Sequence, residues 1–166
     1  MNELMSGRAP VGGGFELADP AGRLRSLDEF RGRLVLLYFG YAYCPDVCPT
    51  DLAAIGGALR LLGERAAQVQ PLFVTLDPAR DTPQVLREYA TAFHPAFIAL
   101  RGSEAETYRI ARSYKVFYEK VDDGKGGYFV DHAAFTFILD RNGKYVAFLP
   151  PGTRPERIAA MLKDQL

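Results

Sequence analysis

An unbroken apolar run, Leu34-Val-Leu-Leu-Tyr-Phe39, leads within five residues into a pair of cysteines, Cys44 and Cys48. The run has the length of a strand that is covered on both faces, which is typical of the centre of an α/β sheet. A helix follows the cysteines, because apolar residues recur at three- and four-residue intervals from Leu52 to Leu62. Both thiols are therefore expected in a strand-to-helix loop at the carboxyl end of a sheet, where α/β proteins commonly hold their functional sites.

The alternation of strand and helix patterns continues beyond this unit. A second buried strand is predicted over 69–76, with Pro71 near its start, and a short strand over 97–100. Between them Thr82, as N-cap, and Pro83, at the first helical position, begin a helix.

The second half of the chain adds more elements. The capping box of Ser103 and Glu106 predicts the start of a helix, and β-rich segments follow over 116–120 and 128–130. After them come a hairpin over 135–149 around Asn142-Gly143 and a last helix capped by Thr153 and Glu156. A small hairpin over 15–26 precedes all of these. The order predicts an α/β fold, a thioredoxin-like mixed β-sheet flanked by helices, with an N-terminal β-hairpin and an inserted β segment.

The length of 166 residues fits one domain. We expect a flexible N-terminal segment over 1–13, an anchor remnant or an expression scar, and a single thioredoxin-like domain over 14–166. Twenty basic and twenty acidic residues leave no net charge, so no nucleic-acid partner is expected. No stretch has the length of a membrane-spanning helix, and residues 1–14 lack the apolar core of a secretory signal.

The cysteines and histidines are few, and this limits what the site can be. Two of each exclude a four-cysteine zinc site and a framework of several disulfides. Cys48 is expected at the start of the helix, where unpaired N–H groups favour a thiolate. Three residues separate it from Cys44, whereas a thioredoxin redox pair has two. This spacing permits a disulfide, and it also allows both sulfurs to face one metal ion.

Two thiolates suit Cu(I), and an added imidazole makes a set that also holds Cu(II). His94 is expected at a helix C-terminus near the surface. His132 is expected in a loop immediately before a strand, and in a thioredoxin-like arrangement that loop lies beside the cysteine loop. His132 is therefore the candidate third ligand.

Five motifs in order resemble the Sco/SenC family of copper-binding thioredoxin-fold proteins over nearly the whole chain. They are Gly14-Phe-Glu-Leu-Ala-Asp19, Tyr38-Phe-Gly-Tyr41, Cys44-Pro-Asp-Val-Cys48-Pro49, Val74-Thr-Leu-Asp77-Pro-Ala-Arg80-Asp81-Thr82-Pro83 and Tyr128-Phe-Val-Asp131-His132. The sequence departs from the commonest pattern at Ala42, Tyr43 and Ala133, none of which is a ligand position.

The resemblance implies copper, Cu(I) or Cu(II), bound by Cys44, Cys48 and His132. It implies a metallochaperone that assists assembly of the CuA centre of cytochrome c oxidase, with subunit II or another cuproprotein as partner. A copper donor or a thiol reductant protein is a further expected partner. It also implies the bacterial periplasm, or else the mitochondrial intermembrane space, and an N-terminal membrane anchor that is absent from this chain.

A thiol–disulfide oxidoreductase is the alternative, in which Cys44 and Cys48 are the redox-active pair and maintain the cysteines of the partner. A peroxidase of the same fold is disfavoured, because Tyr41 stands where a peroxidatic loop has threonine. Two carboxylates are candidates to support the metal ligands without binding the metal themselves. Asp77 would support the cysteine loop or partner docking. Asp131 would orient His132, although neighbouring side chains of a strand point to opposite faces.

Overall fold

A computed structural model describes residues 12–42, 47–132 and 136–166, without the side chains of Val47, Cys48, Phe129, Asp131 and His132. The strands are β1 (Glu16–Ala18), β2 (Leu24–Ser26), β3 (Leu34–Gly40), β4 (Val69–Thr75), β5 (Ile98–Leu100), β6 (Tyr118–Asp122), β7 (Tyr128–His132), β8 (Thr136–Leu139) and β9 (Tyr145–Leu149). The α-helices are α1 (Val47–Leu62), α2 (Pro83–Phe93), α3 (Glu104–Ser113) and α4 (Pro155–Gln165), and 3-10 helices cover Leu27–Phe30 and Gly63–Gln68.

Five strands form the main sheet in the order β5-β4-β3-β8-β9. β3 runs parallel to β4, and β4 parallel to β5, whereas β8 and β9 continue the sheet as an antiparallel hairpin. β1 pairs with β2, and β6 pairs with β7, in two separate two-stranded sheets. The predicted mixed sheet, N-terminal hairpin and inserted β segment are thus confirmed.

Consecutive residues of β3, Tyr38 and Phe39, send their aromatic rings to opposite faces of the sheet. On one face Tyr38 packs against Phe73, whose ring lies 5.8 Å from that of Tyr89 in α2. On the other face Phe39 lies 5.6 Å from Tyr114, the residue that ends α3. All seven residues of β3 are buried, which explains why the run is apolar throughout. Helices therefore flank both faces of the sheet, as predicted.

Two of the predicted helix starts are confirmed by their hydrogen bonds. The Thr82 hydroxyl accepts from the backbone N–H of Val85, and Ser103 and Glu106 make a reciprocal capping box. Pro71 lies in β4 before the residues that pair with β5, so its missing N–H interrupts no bond to that strand.

The predicted cap of the last helix is wrong. Arg154 occupies the N-cap without a side-chain hydrogen bond, and Pro155 is the first helical residue. The Thr153 hydroxyl instead donates to the carbonyl of Pro150, closing the preceding turn. The fixed φ of proline thus decides where this helix begins, and the capping-box pattern does not.

Two boundaries differ near the cysteines and the candidate histidine. α1 begins by Val47, so Pro49 is its third residue rather than its first; a proline within the first turn still costs no intrahelical hydrogen bond. His132 is the last residue of β7, paired with Tyr118, rather than part of a loop. Among the described residues, no helix is both long enough and apolar enough to span a bilayer.

Candidate metal centre

Two of the three predicted ligands belong to described elements. Cys44 lies outside the described residues, in the connection from β3 to α1. Cys48 is the second residue of α1, at the helix N-terminus where it was predicted. His132 is the last residue of β7. The contacts that can be described are therefore those of the residues before and after the three predicted ligands in the sequence.

Asp81 holds the start of the cysteine loop. One oxygen, Oδ2, accepts the backbone N–H of Ala42 at 2.8 Å and the hydroxyl of Thr75 at 2.7 Å. The same hydroxyl accepts the N–H of Asp77 at 2.9 Å. The ends of β3 and β4 are thus joined through one buried carboxyl group.

Burial is the main reason why the pKa of Asp81 is raised, and the negative charge of Asp77 raises it further. The bonds from Thr75 and Ala42 act in the opposite direction. The second oxygen of Asp81, Oδ1, is buried and has no hydrogen-bond partner among the described residues. Part of the affinity of this carboxylate for its two donors is therefore offset by the cost of desolvation.

Tyr41 connects the cysteine loop to the histidine strand. Its hydroxyl oxygen accepts the backbone N–H of Val130 at 3.2 Å, and both residues are buried. Tyr41 is three residues before Cys44, and Val130 is two residues before His132. This hydrogen bond joins residues 89 positions apart in the chain, close to the predicted ligands on both sides.

A second connection is formed by Asp77, Arg80 and Tyr128, which we name the Tyr128 clasp. Arg80 Nε lies 2.6 Å from Asp77 Oδ2, and Arg80 Nη1 donates to the carbonyl of Tyr128 at 2.7 Å. The guanidinium carbon lies 3.7 Å from the centroid of the Tyr128 ring. The Tyr128 hydroxyl donates to Asp77 Oδ1 at 2.8 Å. Burial, and then this bond, raise the pKa of Tyr128, so the hydroxyl keeps the proton that it donates.

The remaining candidates are placed as follows. His94 is the residue after α2, at the end of that helix remote from Thr82, and its Nδ1 accepts the N–H of Ala96. An eleven-residue helix is roughly 16 Å long, so His94 is far from the loop that carries Asp77. Asp131 lies in β7 between Val130 and His132, and its side chain is not among those that the structure describes.

Within the described part of the chain, the Asp77 carboxylate bonds to Arg80 and Tyr128, whereas Asp81 accepts from Ala42 at the start of the cysteine loop. Support of the cysteine loop or of partner docking by Asp77 stays a prediction. The sequence singles out the motif that contains Asp77, Arg80 and Asp81 without indicating which residue each of them meets. Tyr41 and Tyr128 were likewise within recognised motifs and were not singled out.

The described residues hold no group of three or more potential metal-ligating side chains in one place. Cys44 and the side chains of Cys48 and His132 lie outside the described residues.

Comparison with known proteins gives a consistent result. The family model SCO1/SenC matches residues 4–166. An SCO2-like protein of Rickettsia felis is 42% identical over 155 residues, which are 92% of this chain and 76% of that protein. The mitochondrial SCO2 homologue of Bos taurus is 38% identical over 163 residues, 96% of this chain and 61% of that protein.

Two solved structures have a similar fold and substantial sequence identity. Bradyrhizobium japonicum ScoI with copper bound has a TM-score of 0.86 and 38% identity, and the match covers 94% of this chain and 99% of that one. Apo Sco1 of Thermus thermophilus has a TM-score of 0.85 and 40% identity, and the match covers 95% of this chain and 93% of that one.

Proposed function

Because the chain belongs to the SCO1/SenC family, we propose that it binds copper and delivers it during the assembly of cytochrome c oxidase. Sco proteins are cytochrome c oxidase assembly proteins. ScoI of Bradyrhizobium japonicum and Sco1 of yeast have been solved with copper bound. The acceptor that we propose is the CuA centre of subunit II, or else another cuproprotein.

The ligands in this proposal are the thiolates of Cys44 and Cys48 and the imidazole of His132. Two soft thiolates prefer Cu(I), and adding an imidazole gives a donor set that also accepts Cu(II). Because Cys48 lies in the first turn of α1, unpaired backbone N–H groups favour its thiolate form. The donor set therefore fits copper in both oxidation states.

The observation that carries the proposal is the hydrogen bond from the Val130 N–H to the Tyr41 hydroxyl. This bond attaches β7 to the residue that follows β3. Its two partners are only a few residues from Cys44 and from His132 in the sequence. A histidine that is 84 positions beyond Cys48 in the chain thus belongs to a strand secured beside the cysteine loop.

Delivery is proposed to occur by ligand exchange. Copper is the cargo, and cysteines of the acceptor replace the thiolates of this chain one at a time, so the metal keeps sulfur ligands throughout. The protein contributes two thiolates and one imidazole. No oxidant or reductant is consumed when Cu(I) passes between two thiolate sets.

Copper titration of the reduced protein tests this proposal. We expect one equivalent bound per chain, and a loss of Cu(I) affinity of more than about 100-fold in Cys44→Ala and in Cys48→Ala, because even the groups that support metal ligands are worth about 10- to 100-fold. His132→Ala should lower the affinity for Cu(II), and His94→Ala, which removes the other histidine, is its matched control. Full Cu(I) affinity in either cysteine variant would overturn the proposed site.

A second candidate function is thiol–disulfide exchange with the cysteines of the acceptor. The position of Cys48 in the first turn of α1, with Cys44 four residues earlier, favours it, since a thiolate beside a resolving thiol supports such exchange. His132→Ala separates the two functions: thiol exchange should survive this change, whereas Cu(II) affinity should fall steeply.

We further propose that the protein acts in the bacterial periplasm, anchored to the inner membrane. The mitochondrial intermembrane space is the alternative. Fractionation of cells that express the natural gene tests the location, with a soluble periplasmic protein and a cytoplasmic protein as markers. Recovery with the cytoplasmic marker would contradict both.

A further inference from the structure

The β6–β7 hairpin, which ends at His132, is separate from the main sheet. Its two strands pair with each other, from Tyr118 opposite His132 to Asp122 opposite Tyr128. Among the described residues, neither strand is paired with any of the five strands of the main sheet. Ladder hydrogen bonds therefore do not fix this hairpin to the body of the protein, and side-chain contacts must do so.

The Tyr128 clasp engages three different parts of one residue. Arg80 covers the ring of Tyr128 and donates to its carbonyl, while Asp77 accepts its hydroxyl proton. Contacts on the ring, the hydroxyl and the backbone restrict both the translation and the rotation of the strand. The clasp thus fixes the start of β7, four residues before His132.

The groups of the clasp are also held themselves. The carboxylate side chain of Asp77 has no exposed surface, and the side chain of Arg80 is 27% exposed. The backbone N–H of Asp77 donates to the Thr75 hydroxyl, at the end of β4. The clasp is therefore attached to the end of β4, and through Tyr128 it attaches the hairpin to the main sheet.

The position of His132 follows from this attachment. Tyr128, Val130 and His132 have the same parity in β7, and residues of one parity share a face of a strand. The side chain of Val130 is part of the hydrophobic core, and that of Tyr128 packs against this core and is bonded to the loop after β4. This face of β7 therefore points to the body of the protein, and His132 is the next position of the same parity.

We propose that Arg80 and Asp77 are positioning residues of the copper site, which act through Tyr128 to hold His132 where it completes the coordination of Cu(II). This rests on the ligand set proposed above. Two thiolates satisfy Cu(I), whereas Cu(II) depends on the imidazole. A loosened hairpin therefore weakens Cu(II) binding more than Cu(I) binding.

Arg80→Met tests the proposal, since methionine keeps much of the length and loses the ion pair, the bond to the carbonyl and the stacked charge. Groups that orient metal ligands are typically worth about 10- to 100-fold in affinity. We expect Cu(II) affinity of the reduced protein to fall at least about tenfold on this basis. The Cu(I) affinity, measured by competition with a chromophoric chelator, should change by less than the Cu(II) affinity.

Tyr128→Phe is the milder companion variant. It keeps the ring under Arg80 and removes only the bond to Asp77, so its loss of Cu(II) affinity should be smaller than that of Arg80→Met. Arg25→Met is the matched control, because Arg25 also combines carboxylate partners, Asp19 and Glu29, with a position over an aromatic ring, 5.6 Å from the centroid of Phe30. It lies in the N-terminal hairpin and should leave both copper affinities unchanged.

The variant Arg80→Met/His132→Ala distinguishes positioning from a general loss of structure. If Arg80 acts through His132, adding Arg80→Met to His132→Ala causes no further loss of Cu(II) affinity. An equal loss in both backgrounds, or an equal loss for Cu(I) and Cu(II), would overturn the positioning role. If His132→Ala lowers Cu(II) affinity and Arg80→Met does not, only the clasp is wrong; if His132→Ala has no effect, the ligand set and the clasp both fail.

Discussion

Asp81 is a buried carboxyl group that joins two strand ends beside the proposed site. It accepts two hydrogen bonds on one oxygen, from Ala42 and Thr75, and its other oxygen has none from the residues that the structure describes. The charged groups that act on it are Asp77, which raises its pKa, and Arg80, which lowers it, both after the larger effect of burial. Asp81 therefore connects two strand ends at a cost in free energy that depends on pH.

The variant Asp81→Asn should reveal this cost. A carboxyl group whose pKa is raised by folding binds its proton more tightly in the native state, so its contribution to stability declines as pH rises above the unfolded value, near 3.8, through the folded one. The free energy of unfolding of the wild type should therefore fall relative to that of Asp81→Asn from acidic to neutral pH.

Urea unfolding of the reduced apo protein at several pH values measures this difference. The exposed pair of Asp28 with Arg31 offers a control, Asp28→Asn, for the general effect of removing one negative charge. A difference between wild type and Asp81→Asn that is independent of pH would show that Asp81 has an ordinary pKa.

At the scale of elements, α1 is set in place by two glycines that allow close packing. A side chain at Gly56 would overlap the carbonyl oxygen of Phe93, the last residue of α2. A side chain at Gly57 would lie 3.3 Å from the ring of Pro155, the first residue of α4. At these two glycines, the backbone of the helix that carries Cys48 therefore contacts α2 and α4 directly.

Gly56→Ala should destabilise the protein by about 1–3 kcal/mol, because the overlap with a backbone oxygen requires α1 and α2 to move apart. This loss should appear although alanine is the better helix former by about 1 kcal/mol. Gly57→Ala is the paired control and should cost less, since its contact is only slightly too close. Equal stabilities of the two variants in urea unfolding would contradict the close α1–α2 contact.

Tyr41→Phe should loosen the histidine strand without changing the core shape. Removing the hydroxyl leaves the buried N–H of Val130 unsatisfied, which costs about 1–3 kcal/mol. Amide hydrogen exchange at Val130 should become faster, whereas Tyr145→Phe, in the edge strand β9 of the main sheet, should leave it unchanged. Unchanged exchange at Val130 in Tyr41→Phe would show that this hydrogen bond does not hold β7.

Sequence patterns predicted elements well where local chemistry decides them. The apolar run of β3, the N-cap Thr82 and the capping box of Ser103 each determine their element within a few residues, and all three are confirmed. His132 was expected in a loop because its strand depends on pairing with Tyr118, which is 14 positions earlier. Such pairing cannot be read from the short β-rich segment alone.

At the scale of the whole molecule, one continuous core extends from Phe15 to Leu162. The residues just before it are also attached, since Gly12 donates to the carbonyl of Ser113 at 2.8 Å and the Tyr114 hydroxyl donates to Gly13 at 3.0 Å. The domain that we predicted to begin at residue 14 therefore makes contacts with the two residues before it.

Truncation tests where the folded domain begins. Deleting residues 1–13 should cost about 1 kcal/mol or more in the free energy of unfolding beyond the effect of deleting residues 1–11, because it also removes two hydrogen bonds, one of them from the buried Tyr114. Equal stability of the two shortened chains would contradict a role for Gly12 and Gly13.

The sequence predicted the overall architecture and the candidate ligands, but not the residues that hold them together. Recognising the motif from Asp77 to Pro83 did not reveal that Tyr128 meets it, because the two are 51 positions apart and contact through side chains. Likewise the pairing of Tyr41 with Val130 depends on how a separate hairpin docks. Local patterns contain no information about such docking.

X-ray absorption spectroscopy of the copper-loaded, reduced protein tests the central claim most directly. With one equivalent of Cu(II), we expect scattering from two sulfur atoms and one imidazole in the wild type, and the imidazole contribution should disappear in His132→Ala but persist in His94→Ala. A copper ion without sulfur scattering, or an imidazole signal that survives the loss of His132, would contradict a site built from Cys44, Cys48 and His132.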